Sequence, residues 1–184
     1  TTCTSGGAGA ATTADGTILG TAESYWDSST GGPSGSSVTS GGVGAVLQQM
    51  NVSSRKIYTY TGTATGNLGG IALTAAAQAF SKANTNITPA KLGLTGADAT
   101  TAEKDSLIDY VYGYDSYDRN SNSNTTEKRS WILGDIIHSV PLIVNYDGTG
   151  TNSLIIVGAN DGMLHAFDDA TGAEMWAFVP PDVL

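Results

Sequence analysis

At 184 residues, 40% hydrophobic and 14% charged, the chain has the length and composition of one globular domain or slightly more. Its 17 Asp and Glu against 8 Lys and Arg give a net charge of -9, and every basic side chain lies between Arg55 and Arg129. Such a surface repels phosphate backbones and anionic headgroups, which argues against nucleic-acid and membrane-surface binding, and no apolar run approaches the ~18 residues of a membrane span. Cation binding stays open.

In chain order, residues 1–16 carry almost no large apolar side chain and are expected to form a linker or a frayed end. Cys3, the single cysteine, has either a partner elsewhere in the protein or none. No charged leader with an apolar run is present, so any export signal is expected to lie outside these residues or to have been removed. The Gly, Ser, Thr and Asn content suits a secreted or surface protein. Thr17 to Trp26 mixes β-branched and aromatic residues as a strand would, Asp27 to Gly44 has loop composition, and Val46 and Leu47 reopen an apolar segment. Arg55 to Thr61 alternates and predicts a strand. The Ala-rich stretch Ile71 to Ala83 predicts a helix with Leu73, Ala76, Ala77 and Phe80 on one face. Thr88, Pro89 and Gly93 are the cap, first position and stop of one short helical turn. Thr100 and Glu103 form a capping box ahead of a helix whose apolar stripe is Leu107, Ile108 and Val111.

From Trp131 the pattern becomes β. Two strand-like pieces are broken near Ser139 and Pro141, the proline marking an edge or junction. Leu154 to Phe178 then predicts a three-stranded antiparallel meander: Leu154 to Gly158, a tight turn at Asn160-Asp161-Gly162, Met163 to Asp168, a second turn closed by Gly172, and Ala173 to Val179. Strict alternation places Met163, His165 and Phe167 on one face of their strand. It places Met175, Ala177 and Val179 on one face of the next, with Glu174, Trp176 and Phe178 opposite. Both faces are largely apolar, so the sheet expects packing on two sides, as one blade of a β-propeller does. The expected fold is mainly β with a helical insertion, a partial propeller belonging to a larger protein. Its parts are a lead-in over residues 1–54 with one or two strands, a strand plus helical insertion over 55–128, and a first blade over 129–184.

Two loops present oxygens as calcium loops do. Asp118, Asn120, Asn122 and Asn124 alternate at the first, third, fifth and seventh positions, with Thr126 at the ninth and Asp115 nearby. Departures from an EF-hand are the single carboxylate among the four, Ser123 in place of Gly, and Arg129 at the twelfth position; the alternative is an Asn-rich turn. The second loop, Asn145 to Asn152, offers Asn145 and Asp147 before a strand, with a solvated β-turn as its alternative. No catalytic set is expected. Asp135, His138 and Ser139 lie on one short stretch and point to alternate faces, so they cannot converge as a triad, and His138 and His165 are expected to be packed or surface residues.

Arg129 to Val144, RSWILGDIIHSVPLIV, and Val157 to Leu184, VGANDGMLHAFDDATGAEMWAFVPPDVL, resemble the start of the C-terminal propeller of the type IV pilus tip-associated proteins of the PilC/PilY family. Arg55 to Gly62 and the helix ending in LIDYVYGYD resemble the segment preceding it. The blade also resembles quinoprotein repeats in its scaffold, without a quinone-binding set. The resemblance implies a non-enzymatic, exported surface protein that associates with pilus components, supports pilus assembly against retraction and mediates adhesion, with calcium in the propeller of some members. Its expected partners are the remaining blades or another chain, together with a surface ligand. The alternative is a structural subunit that builds a fibre or completes a partner by strand addition; a quinone-dependent dehydrogenase is the weakest reading.

Overall fold

Apolar alternation after Pro141, punctuated by Asp-Gly and Thr-Gly turns, folds into one open sheet. The computed structural model describes residues 12–23, 25, 26, 35, 41–62 and 72–184; Cys3 and most of the Gly/Ser-rich stretch lie outside them. Strand β1 (Ile57–Thr59) pairs parallel to the last strand, while β2 (Leu142–Asn145), β3 (Ser153–Gly158), β4 (Leu164–Asp168) and β5 (Glu174–Val179) form an antiparallel meander. The sheet order is β1-β5-β4-β3-β2. Two α-helices accompany it, α1 (Gly42–Gln49) and α2 (Thr101–Tyr112). The fold is therefore mainly β with a helical part, and the single open sheet does not by itself close a propeller.

Both turns of the meander form where the sequence places them. Gly162 (φ 83°) donates to Ala159 O in the first. In the second, Asp168 accepts from the Thr171 amide at 2.8 Å and its hydroxyl at 2.6 Å, and Gly172 takes φ 70°. Gly172 has a second reason to be glycine, because a Cβ there would lie 2.7 Å from Trp26 Cγ. Trp26 crosses this turn and donates its indole N–H to Asp169 O at 2.7 Å.

One sheet face carries two apolar clusters. Ile57, Ala177, Val179 and Met163 pack with Phe80, Ile87 and Ile108 of α2, and Val157 and Phe167 pack with Leu47 of α1, Val52, Ile132 and Leu133. Fully buried side chains such as Phe167 and Leu47 each contribute roughly 1.5–3 kcal/mol. On the opposite face, Tyr58, Leu164, Trp176 and Phe178 stay partly exposed around an apolar groove of about 300 Å³.

Several local expectations are corrected. The Ala-rich stretch is not a helix: its described part has a single 3-10 turn at Ala76–Gln78, after which Ala79 bridges Tyr58 and the Phe80 amide donates to Ile57 O at 2.9 Å. Pairing with the edge of β1, together with burial of Phe80, outweighs alanine's modest helix preference. Thr17 to Trp26 contributes only an isolated bridge, Thr12 with Ile18, among its described residues. The Val46-Leu47 segment is helical, and the Lys128 ammonium caps its last carbonyls at Gln48 and Met50. Of the two pieces between Trp131 and Tyr146 only the second is a strand. The capping box of α2 is half formed: Thr100 accepts from the Glu103 amide at 3.1 Å, but the Glu103 carboxylate accepts from the Tyr117 hydroxyl at 2.7 Å. That bond and partial burial push the Tyr117 phenol up to about 12, burial being the larger cause. Among the described residues no helix is long and apolar enough to cross a membrane.

Candidate functional site

The strongest departure from strict alternation creates the site. His165 pairs with Ala177 and Ala166 with Trp176, but Phe167 pairs with Glu174, so Met175 is an extra residue bulged out of β5. Met175 is exposed, and Glu174 returns to the buried face beside His165 instead of joining Trp176 and Phe178. The expected grouping of Glu174 and Met175 is thereby reversed.

Around this bulge four ionisable side chains form a chain. Arg55, at the entry to β1, donates from Nε and Nη2 to the two oxygens of Glu174 at 2.7 and 2.8 Å. Its Nη1 donates to Val111 O and Tyr112 O, the last carbonyls of α2, where the helix end is electronegative. Glu174 Oε1 lies 2.8 Å from His165 Nδ1, and His165 Nε2 lies 3.1 Å from both oxygens of Asp161 in the first hairpin turn. Asp161 also accepts from the amides of Gly134 (2.9 Å) and Met163 (3.1 Å). The imidazole is fully buried, stacked on Phe167 with centroids 5.7 Å apart.

The electrostatics fix the protonation state. Burial opposes the charge on His165, but hydrogen bonds to Asp161 and then Glu174 outweigh it and hold the imidazole above its ordinary value. Burial likewise opposes ionisation of Glu174 and Asp161; for Glu174 the hydrogen bonds from Arg55 and His165, and for Asp161 chiefly that from His165, hold the carboxyl below its ordinary value. Both ring nitrogens face carboxylates, so both carry protons: two cations alternate with two anions and the buried chain is neutral. Chemically this is a clamp. It joins β1, β4, β5, the first hairpin turn, the segment before β2 and the end of α2, and it leaves His165 no lone pair to offer a substrate.

Gly134 lets the clamp close, since a Cβ there would lie 2.4 Å from Asp161 N. Gly134→Ala is expected to cost about 1–3 kcal/mol, because the neighbour is backbone and cannot swing aside; urea unfolding measures it.

The predicted loops are ordered differently. Asp115, buried, accepts the amides of Arg119 and Asn120, and Asp118 Oδ1 accepts those of Asn122 (2.8 Å) and Ser123 (3.0 Å). Asn120, Asn122 and Asn124 each accept an amide two residues on, and turn their Nδ2 groups onto Glu127 at 2.5, 2.7 and 3.4 Å. Glu127 was not singled out by the two-residue spacing, because it breaks the alternation. Ser123, standing where an EF-hand has Gly, adopts φ 65°. In the second loop Asn145 Oδ1 accepts the amides of Asp147 and Gly148, while Asp147 accepts those of Thr149 and Gly150 and, at 2.5 Å, the Thr151 hydroxyl. The Thr151 hydroxyl is the main reason the Asp147 carboxyl is held down at about 2. No hydrogen bond joins the two loops, and among the described residues no three His, Cys, Asp or Glu gather as a metal would require.

His138 is exposed, Ser139 Oγ accepts from the Gly158 amide at 3.0 Å, and no bond connects Asp135, His138 and Ser139. His165 is packed as expected, but its carboxylate partners were not foreseen.

An open, mainly β sheet clamped by a buried ion chain is the class of structure these residues define. The chain is 36% identical over 128 aligned residues to a type IV pilus biogenesis factor PilY1 homolog of Xylella fastidiosa, an alignment taking in 55% of this chain and 10% of the relative. It is 30% identical over 109 residues to the type IV pilus biogenesis factor PilY1 of Pseudomonas aeruginosa, covering 47% of this chain and 9% of that protein. A further PilY1 homolog of X. fastidiosa is 35% identical over 107 residues, covering 42% of this chain and 7% of the relative. Over the aligned residues the chain is similar to PilY1-like proteins, and it spans about a tenth of the length of the curated relatives it matches. No family model matches the chain, and no solved structure gives a significant match.

Proposed function

We propose that the chain is part of a type IV pilus biogenesis factor that acts at the bacterial surface, in contact with pilus components, as a binding protein rather than an enzyme. The observation that carries this reading is the shared name of the relatives from two genera, at 30–36% identity. The fold is compatible with it. His165 is withheld from solvent, and the meander from β2 to β5 has the strand order of a propeller blade with a second apolar face left for a neighbour. An adhesive role for the whole protein belongs to the same proposal. Deleting the encoding gene in its own bacterium should reduce surface pili at least tenfold, with recovery when pilus retraction is also disabled. Unchanged piliation would refute the proposal.

The loop from Asp118 to Glu127 is proposed as a calcium site of this protein. It offers the carboxylates of Asp118 and Glu127 and the amide oxygens of Asn120 and Asn122, each of which accepts one backbone N–H and keeps a second lone pair, together with Asn124, whose oxygen would exchange the Thr126 hydroxyl for the cation. Asn145 and Asp147 fit a cation less well, since they supply one carboxylate rather than two and Asn145 Oδ1 already accepts two amides. Calcium titration by calorimetry should give a saturable heat that Glu127→Gln weakens at least tenfold and Asp147→Asn leaves unchanged. No heat at millimolar calcium would remove the site.

A further inference from the structure

Strand β2 leaves one sheet edge open, and no strand among the described residues covers it. Tyr146 donates to Asn152 O at the mouth of the β2–β3 hairpin, and the Asp169 amide donates to Ser153 O on the other side of β3. By the alternation of an antiparallel ladder, Leu142 and Val144 therefore direct their backbone groups to β3, while Ile143 and Asn145 direct theirs outward. No strand among the described residues lies beyond them. The side chains at this edge are apolar and exposed on both faces: Val140 is 86% exposed, Leu142 60%, Ile143 64% and Tyr146 65%, and Ile137 before them is 62% exposed. Lysines, the usual guards of an open edge, are absent, since no Lys or Arg occurs after Arg129. The opposite edge differs, because residues 77–80 bond along the outer side of β1.

Charge selects among the possible occupants. The edge is uncharged in its middle, the exposed carboxylates of Asp135 and Asp147 precede and follow it in the chain, and no Lys or Arg occurs after Arg129. A second copy would bring the same acidic flanks together. We propose that the β2 edge accepts an extended strand of another polypeptide, apolar at alternate positions and flanked by lysine or arginine. The strand's backbone would bond to Ile143 and Asn145, and its basic ends would meet Asp135 and Asp147. This inference does not depend on the pilus assignment.

The test titrates the full chain with a soluble synthetic peptide, Lys-Lys-Val-Thr-Val-Thr-Val-Lys-Lys, and with its glutamate-flanked counterpart. The lysine peptide should bind saturably, weaken as salt rises, and bind at least tenfold more tightly than the glutamate peptide. Ile143→Pro should weaken it at least tenfold while leaving the urea midpoint unchanged, because the N–H it removes points away from β3. Amide exchange gives a readout independent of that variant: the Ile143 and Asn145 N–H groups should become protected only with the lysine peptide present. Absence of binding, equal binding of both peptides, or no protection of these amides would overturn the proposal. Concentration-dependent dimers of the chain alone that Ile143→Pro dissolves would also overturn it, assigning the edge to a second copy.

Discussion

Glu174→Gln is expected to lower the unfolding free energy by about 3–5 kcal/mol, the cost of breaking a buried ion pair from one side. Glu174 is 4% exposed and its two oxygens take three charged contacts, from Arg55 Nε, Arg55 Nη2 and His165 Nδ1. Glutamine keeps the shape but leaves the Arg55 guanidinium buried with only neutral oxygens to face, those of the amide and of the helix carbonyls. Pairing it with Arg55→Met removes the stranded charge, so the double variant should be less destabilised than the sum of the two single ones, by about 1–2 kcal/mol. Urea unfolding of the four proteins measures this, and strict additivity would mean that the two side chains do not act as a pair.

His165→Leu should cost a similar ~3–5 kcal/mol near pH 5.5, because it withdraws the cation between two buried carboxylates. It should also change the shape of the stability profile. In the parent, His165 is raised above 6.5, so its stabilisation is complete below pH 6.5 and is lost as pH rises through the higher folded value. Glu174 and Asp161 are depressed below 4.5 and 3.8, so theirs is complete above those values and is lost as pH falls through the lower folded ones. Stability should therefore be greatest between about pH 4.5 and 6.5. In His165→Leu the alkaline loss disappears while an acid loss persists through Glu174 and Arg55. An unchanged alkaline flank, measured by unfolding across pH 5–9, would mean that His165 is not charged in the fold.

What the sequence disclosed was local. The Asn160-Asp161-Gly162 and Asp168-to-Gly172 turns, the Thr88-Pro89-Gly93 turn and the Thr100 cap all formed where turn chemistry put them, since each depends on neighbours a few residues apart. The clamp was hidden because its members are 119 residues apart at Arg55 and Glu174 and because one bulged residue, Met175, reverses the face of Glu174. A period of two cannot announce its own interruption. The mistaken helix near Ala76 has the same origin: the Phe80 amide finds Ile57 O, a partner no local window contains. In the Asp118 loop the two-residue spacing identified four ligand candidates and missed Glu127, to which three of them turn.

The most direct measurement of the clamp is the protonation of the His165 ring, read from its ¹⁵N resonances across pH 5 to 8. The structure predicts that both ring nitrogens carry protons and hold imidazolium shifts past pH 6.5, with Nδ1 coupled to Glu174 and Nε2 to Asp161. A neutral ring at pH 6, with one nitrogen bare, would contradict it.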